Sequence, residues 1–329
     1  MYVRQEAVLS SQIEGTQASL ADLLDYEATS DQSKRTVDLK EILNCIAALN
    51  FGLERIKKLP VSTRLLCEVH RKLMTGVRGG EFARTPGDLR RSQNWIGGSS
   101  PADARYVPPP VSEMQKAMGD LEQFLNRTKQ TPALIEAGLA HAQFETIHPF
   151  LDGNGRLGRL LITFLLSLRG ILSRPLLYLS HHFKENRDEY YDRLQRIRTE
   201  GDWEGWLRFF LGGVAAVAAE ATDRARQIVL LRERDQKNVR EALGRRSALG
   251  LDLLDLLIKQ PVVTTAYVCE ELNRTSPTVN KLLADLVKIG ICRETTGQRW
   301  GRRFRYNEYF NLFVAPREKA RRGSDQPSG

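Results

Sequence analysis

The feature that most constrains this 329-residue chain is a run of twelve residues from His148 to Arg159, HPFLDGNGRLGR. It combines one imidazole, one carboxylate, two glycines on either side of an amide, and two guanidinium groups. Glycines let backbone N–H groups approach phosphate oxygens closely, and arginines match phosphate geometry with two donors at once. A carboxylate close to phosphates commonly holds Mg²⁺. The run therefore predicts a loop that binds a polyphosphate beside a base, and we call it the active loop.

The residues after the active loop predict where it lies in the fold. Leu160 to Leu168 is an almost uninterrupted apolar run followed by Gly170, which is typical of a buried helix and its end. The active loop would then lie at the N-terminus of this helix, where unpaired N–H groups and the helix dipole favour anions. The alternative is an ordinary glycine-rich turn between two helices.

The active loop resembles the signature of the Fic family, His-x-Phe-x-Asp/Glu-Gly-Asn-Gly-Arg-x-x-Arg, at every fixed position. The resemblance implies a mainly α fold, with a Fic-type helical core and a β-hairpin flap. It also implies a protein adenylyltransferase, which transfers AMP from ATP to a Tyr, Thr or Ser hydroxyl of a protein target. The chain itself is one candidate for that target.

The resemblance also implies a role for each polar residue of the active loop. His148 would accept the hydroxyl proton, since an ordinary imidazole pKa near 6.5 leaves a neutral fraction at physiological pH. Asp152 would hold Mg²⁺, which offsets charge on the leaving group. Arg156 would bind the β-phosphate and Arg159 the γ-phosphate. The implied nucleotide-binding residues of the loop are Gly153, Asn154, Gly155, Arg156, Leu157, Gly158 and Arg159.

A second motif lies near the N-terminus, in the segment Ser10 to Gly15 (SSQIEG). Glu14 falls in the last turn of a predicted helix, where the dipole disfavours a negative charge unless a cation approaches it. The segment resembles the inhibitory-helix motif of Fic proteins, Ser/Thr-x-x-x-Glu-Gly/Asn. The resemblance implies that Ser10 and Glu14 belong to an inhibitory helix in which Glu14 pairs with Arg159. The alternative is an ordinary capped surface helix.

Two further regions carry weaker predictions. Residues 90–110 predict two short strands around a turn, and their free edge could capture an extended peptide. This segment resembles the flap of Fic enzymes; the alternative is a loop anchored by Trp95. Farther along, Tyr190 and Tyr191 resemble a tyrosine pair that borders the adenine pocket in Fic relatives. The resemblance favours Tyr190 for the adenosine contact and Tyr191 as the second choice, and the alternative is plain packing.

Composition and residue spacing give no indication of a membrane-spanning, exported, disulfide-linked or zinc-binding protein. With 41% hydrophobic and 27% charged residues, the chain is typical of globular proteins. Its start lacks an apolar signal core, and its longest apolar run is too short to span a bilayer. Four scattered cysteines show neither close pairing nor zinc spacing. These features predict a cytoplasmic protein. A homodimer is compatible with the sequence, which carries no signal for it.

The net charge of +9 is concentrated toward the C-terminus, where residues 245–329 carry fifteen Lys/Arg against nine Asp/Glu. This asymmetry indicates a region that faces nucleic acid. The predicted elements there are two helices, a turn, a third helix and a basic hairpin, which is typical of a winged helix-turn-helix. The alternative is a domain for protein contact or dimerisation only. The residues predicted to contact DNA are Ser276, Thr278, Asn280, Lys281, Arg299, Arg302 and Arg303.

These patterns predict five regions. An N-terminal helical region, 1–88, contains the inhibitory helix at about 4–15. A Fic core, 89–212, contains the flap and the active loop. A helical connector spans 213–246, a winged helix-turn-helix domain spans 247–312, and a basic, disordered tail spans 313–329.

Three other functions remain open at this point. One is a DNA-binding regulator whose Fic core senses a nucleotide without turning it over, although an intact His148 and Asp152 argue against a pure sensor. The others are removal of AMP and transfer of a different phosphate-containing group. Arg159 favours ATP bound as a triphosphate.

Overall fold

Apolar residues at helical spacing form the core of most of this protein. The computed structural model describes residues 1–29, 36–77, 85–127, 131–172, 177–298 and 301–314. The described residues are mainly helical and separate into two units, Met1–Ala225 and Arg226–Gly329. The division falls inside the connector predicted at 213–246. Within the described residues, no helix is both long and apolar enough to cross a membrane.

The first unit is built from ten helices of the described chain, of which the last continues into the second unit. They are α1 (Tyr2–Ile13), α2 (Leu20–Thr29), α3 (Val37–Arg55), α4 (Thr63–Met74), α5 (Val111–Asn126), α6 (Ala133–Ile147), α7 (Asn154–Leu168), α8 (Ser180–Glu185), α9 (Arg187–Glu200) and α10 (Trp203–Leu243).

The antiparallel pair α6 and α7 forms the centre of the first unit, with the active loop as its connection. Twelve of the 15 residues of α7 are buried, as the apolar run in the sequence predicts. Helices α3 and α4 pack on α7, and α5 and α9 pack on α6. Gly52 of α3 is required for this packing, because a Cβ there would collide with the ring of Phe164. The pair α6 and α7 therefore holds the active loop on a buried, closely packed base.

Helix α1 docks against α3, α7 and α8. It ends at Ile13, with Glu14 as its C-cap residue and Gly15 in the left-handed region at φ 99°. A helix is thus present where the sequence predicts one at about 4–15, with slightly earlier bounds. Glu14 closes the helix, so its side chain projects from the end that faces α7.

The flap differs from its prediction. Instead of two strands, residues 90–110 contain a single antiparallel bridge between Ile96 and Tyr106. Gly97 and Gly98 turn the chain directly after Ile96, both at positive φ. Three consecutive prolines from Pro108 onward lack the N–H donors that a longer ladder needs. Both causes limit the pairing to one bridge.

The second unit contains the end of α10, a 3₁₀ turn and a mixed set of helices and strands. They are α11 (Ser247–Lys259), β1 (Val262–Thr264), α12 (Thr265–Leu272), α13 (Ser276–Lys288), β2 (Cys292–Glu294), β3 (Arg303–Tyr306) and α14 (Asn307–Val314). Helix α14 extends two residues into the segment predicted as a tail. The rest of that tail lies outside the described residues.

A three-stranded antiparallel sheet in the order β1-β3-β2 closes this unit. Val263 pairs with Phe304, and Cys292 with Tyr306. Strand β1 is absent from the sequence prediction, which gives only helices, a turn and a hairpin for this region. The Thr264 side chain instead caps α12 by accepting from the N–H of Tyr267.

Candidate active site

The active loop is a tight turn whose shape is set by its own residues. His148 ends α6 in the left-handed conformation, at φ 49°, and Gly153 precedes α7 at φ 78°. The buried side chain of Asn154 accepts from the N–H of Phe150 at 2.9 Å and donates to its carbonyl at 2.8 Å. A Cβ on Gly153 would lie 2.7 Å from the sulfur of Met74. The Asn154 side chain is therefore engaged within the loop, so the groups left to contact an anion there would be backbone N–H groups of the first turn of α7.

Arg159 is 3% exposed and lies between α7 and α1. Its Nη2 donates to Glu14 Oε1 at 2.6 Å and to the Ser10 carbonyl at 2.9 Å, and its Nε donates to Ser10 Oγ at 2.8 Å. Its Nη1 has no hydrogen-bond partner among the described residues. The structure thus brings together the three residues of the predicted inhibitory contact.

Arg159 is buried and Glu14 is partly exposed, and each of the two groups favours the charged form of the other. Burial alone would raise the pKa of Glu14, but the adjacent Arg159 guanidinium lowers it. Burial alone would lower the pKa of Arg159, and the Glu14 carboxylate raises it. Both groups are therefore ionised at neutral pH, and the pair is an ion pair with hydrogen bonds.

Arg156 is 4% exposed and retains unused donors. Its Nη1 lies 3.8 Å from Glu41 Oε2, and its Nη2 lies 3.9 Å from Asp152 Oδ2. Within the described part of the chain, neither its Nε nor its Nη1 makes a hydrogen bond. A buried guanidinium with unpaired N–H groups is costly unless an anion completes it.

Asp152 is half-buried at the mouth of the loop, and its Oδ1 accepts from the N–H of Gly153 at 2.7 Å. Among the described residues, no cluster of three His, Cys, Asp or Glu side chains could hold a metal ion. A single carboxylate fits Mg²⁺ that is bound mainly by substrate phosphates and water. It does not fit a cage made of protein ligands alone.

His148 is more strongly perturbed than the sequence predicts. Burial, with a smaller contribution from the charge of Arg198, lowers its pKa to about 4. Its Nδ1 lies 3.9 Å from Glu145 Oε2, one helical turn earlier. The imidazole is therefore neutral throughout the physiological range, rather than only in part.

His70 of α4 contacts the active loop, which the sequence did not reveal. Its ring stacks on Phe150 with 3.8 Å between centroids, and its Nδ1 accepts from the N–H of Gly87 at 2.9 Å. Its Nε2 must then carry the proton and donate to the Asp152 carbonyl, 2.9 Å away. The loop is thus supported from α4 as well as from its own helices.

Tyr190 and Tyr191 differ in their surroundings. Tyr190 is 1% exposed, stacks on Phe183 at 4.5 Å, and its hydroxyl lies 2.9 Å from Nε2 of His141. Tyr191 is half-buried, with the guanidinium of Arg187 5.5 Å from its ring. Tyr190 therefore has the environment of a packing residue, the alternative given above. Tyr191 is the more accessible of the two for a ligand contact.

The residues predicted to contact DNA lie on the second unit. Val279, Leu282, Leu283 and Leu286 form the buried face of α13. The opposite face exposes Ser276, Thr278, Asn280 and Lys281. Arg302 is exposed with its guanidinium 4.9 Å from the Phe304 ring, and Arg303 is half-buried. Arg299 lies outside the described residues.

Comparisons with known proteins agree with this architecture. The family profile described as Fic/DOC family matches residues 60–166, and the one described as Fic/DOC family N-terminal matches residues 1–54. The curated relative from Aedes aegypti, named protein adenylyltransferase Fic, is 32% identical over 229 residues. That match covers 66% of this chain and 40% of the relative. A relative of the same name from Drosophila grimshawi is 32% identical over 207 residues, covering 60% of this chain and 38% of the relative. The chain thus spans about two fifths of the length of these relatives.

Solved structures share the fold. A Fic family protein from Desulfovibrio desulfuricans G20 aligns with a TM-score of 0.58 at 21% identity, covering 93% of this chain and 86% of that one. Fic-1 from C. elegans aligns with a TM-score of 0.52 at 22% identity, covering 66% of this chain and 62% of that one.

Proposed function

This chain belongs to the Fic/DOC family, and on that premise we propose that it is a protein adenylyltransferase, which transfers AMP from ATP to a Tyr, Thr or Ser hydroxyl of a protein target. The observation that carries the proposal is the state of the two arginines. Arg156 and Arg159 are buried at the start of α7, and each retains guanidinium N–H groups without an acceptor in the described part of the chain. A triphosphate supplies the missing acceptors.

The surroundings of Gly155 support the same ligand. A Cβ at this position would collide with the Glu14 carboxylate, so the space beside Gly155 is a cradle for oxygen atoms. Carboxylate oxygens occupy it here, and phosphate oxygens have similar size and charge. The N-terminus of α7 adds N–H donors and a favourable dipole.

The proposed reaction assigns one step to each group. Neutral His148 accepts the proton of the target hydroxyl, whose oxygen attacks the α-phosphorus as the bond to the β-phosphate oxygen breaks. Pyrophosphate leaves, and the target carries AMP. Arg156 and Arg159 hold the β- and γ-phosphates so that the leaving oxygen lies in line with the attacking one. Asp152 would hold Mg²⁺, which neutralises charge on the leaving group.

We further propose that Glu14 keeps this site inhibited. While Glu14 Oε1 lies 2.6 Å from its Nη2, Arg159 cannot offer that nitrogen to a γ-phosphate. The Ser10 hydroxyl and carbonyl hold the same guanidinium against α1. Displacement of α1, or loss of the Glu14 carboxylate, would free Arg159.

Labelling with ATP that carries ³²P at the α-phosphate tests both proposals. We expect Glu14→Gly to raise labelling of protein targets, and of the chain itself, at least tenfold, a change worth about 1.4 kcal/mol. Adding His148→Ala to that variant should abolish labelling. ATP labelled at the γ-phosphate should give no signal. Equal labelling with and without Glu14 would refute the inhibition, and full activity without His148 would refute its role as the base.

For the second unit we infer a winged helix-turn-helix that binds DNA. The order helix, strand, helix, helix and hairpin, with the sheet order β1-β3-β2, supports this inference. The exposed polar residues of α13 would face a groove, and basic residues of the hairpin would contact phosphates. DNA binding and adenylyl transfer are separate proposals, so either one can be refuted while the other stands.

A further inference from the structure

One side chain joins the flap to the active loop. Arg90, at the start of the flap, is 1% exposed, although it is an arginine. Among the described residues, no carboxylate pairs with it. The partners of its guanidinium in the described ranges are all backbone carbonyls, so it serves as a connector between segments rather than as half of an ion pair.

The carbonyls that Arg90 binds belong to both segments. Its Nε donates to the His148 carbonyl at 3.0 Å. Its Nη1 donates to the Ser92 carbonyl at 3.2 Å, and its Nη2 donates to the Pro109 carbonyl. Ser92 and Pro109 lie on opposite sides of the flap turn. One planar group thus fixes both sides of the flap to the residue that carries the proposed base.

Two more bonds continue this contact along the active loop. The backbone N–H of Arg90 donates to the Pro149 carbonyl at 2.9 Å. The buried side chain of Asn94 donates to the Phe150 carbonyl, also at 2.9 Å. The three successive carbonyls from His148 to Phe150 therefore all accept from the first half of the flap.

The second half of the flap is fixed to the end of α6. The Tyr106 hydroxyl donates to the Thr146 carbonyl at 2.8 Å. The guanidinium of Arg198 lies 3.9 Å from the Tyr106 ring and donates to the Glu145 carbonyl at 3.1 Å. All of these anchors lie between residues 145 and 150, which position His148.

We propose that Arg90 is a positioning residue that fixes the flap and the active loop as one unit, so that a hydroxyl presented along the flap meets His148 at reacting distance. The kinetic part of this inference rests on the adenylyl transfer proposed above. Arg90 itself does not touch the reacting atoms. Its effect is on geometry, and a misplacement of about 1 Å can slow such a reaction about a hundredfold.

The test compares Arg90→Lys with Arg91→Lys, both in the Glu14→Gly background. Lysine keeps the charge but cannot direct donors to three carbonyls at fixed angles. Arg91 is the neighbouring, exposed arginine and serves as the matched control. We expect Arg90→Lys to lower kcat for AMP transfer to a protein about tenfold to a hundredfold, with KM for ATP unchanged. Arg91→Lys should change neither constant.

Hydrogen exchange followed by mass spectrometry supplies a readout that does not depend on catalysis. In Arg90→Lys we expect faster exchange in the peptides that cover 92–108 and 148–152 together. Tyr106→Phe removes a single hydrogen bond and should increase exchange in the same peptides by a smaller amount. This variant keeps the test available if Arg90→Lys does not fold. Faster exchange in the flap alone, or an unchanged kcat with a loosened flap, would overturn the proposal. If the Glu14→Gly parent transfers no AMP, the proposed function fails, and exchange still decides whether Arg90 joins the two segments.

Discussion

Among single residues, His148 shows most clearly how burial prepares a group for its proposed role. An ordinary histidine is partly protonated at neutral pH, and a protonated imidazole cannot accept a proton. Burial lowers the pKa of His148 to about 4, so the accepting form is fully populated. A base with a low pKa is intrinsically weaker. The gain in available base is thus set against a smaller driving force for proton transfer.

This perturbation predicts the acid limb of the pH–rate profile. Because the folded pKa lies below the ordinary value, neutral His148 persists as the pH falls, and protonation removes it only near pH 4. We expect kcat/KM of the Glu14→Gly variant to stay level from pH 8 to about 5. The measurement is AMP transfer from labelled ATP, with circular dichroism at each pH to verify folding. A loss centred near pH 6.5 would show that the imidazole is not desolvated in the working enzyme.

The residues that the sequence could identify are those inside short motifs. The placement of Glu14 beside Arg159 was predicted from two such motifs 145 positions apart, and the ion pair at 2.6 Å agrees with it. His70 and Arg90 belong to no recognisable motif. They contact the active loop across 82 and 58 positions of sequence, respectively, and only the tertiary fold brings them there. Burial of His148 is likewise a property of the fold, so its lowered pKa could not be predicted.

At the level of helices, the base of the site depends on close packing of α3 on α7. Gly52→Ala should destabilise the protein by about 1–3 kcal/mol, because the added methyl group collides with Phe164 in a buried interface. Gly119→Ala on α5 is the matched control, since a Cβ there meets nothing within 4 Å. It should stabilise by about 0.5–1 kcal/mol through helix propensity.

Urea denaturation of both glycine variants measures this difference. The expected result is a lower midpoint for Gly52→Ala and an equal or higher midpoint for Gly119→Ala. Equal midpoints in the two variants would mean that Phe164 moves aside at no cost, and that the approach of α3 to α7 is not limited by this contact.

The helices that could be predicted are those with a strong apolar pattern. Helix α7 was located from its apolar run and the glycine that follows it. The flap strands and β1 were not predicted correctly, because such short segments contain too few residues to show a period. Their pairing is decided by partners elsewhere, as when β1 pairs with β3 about 40 positions later.

For the whole molecule, the family predicted from the active loop is confirmed by the profile matches across residues 1–54 and 60–166. The positive charge near the C-terminus leads to a separate prediction about DNA. We expect the full chain to bind duplex DNA with an affinity that falls as salt rises, and Lys281→Ala and Arg302→Ala should each reduce the slope of log K against log salt by about 1.

Fluorescence anisotropy at several salt concentrations measures this slope. Arg208→Ala is the matched control, since Arg208 is an exposed arginine of the first unit. Its slope should equal that of the unaltered chain. An affinity that does not change with salt, or an equal reduction of the slope in all three variants, would exclude α13 and the hairpin as the contact surface.

The ion pair between Glu14 and Arg159 has a consequence for how the site responds to nucleotide. Under the proposed inhibition, Glu14 would act as a tethered competitor, whose effective concentration is set by how firmly α1 is docked rather than by the amount of ATP in solution. Linkage between the two equilibria is reciprocal. Any partner that pulls α1 away would therefore raise the affinity of the site for a γ-phosphate, and any nucleotide that binds Arg159 would weaken the docking of α1 by the same factor.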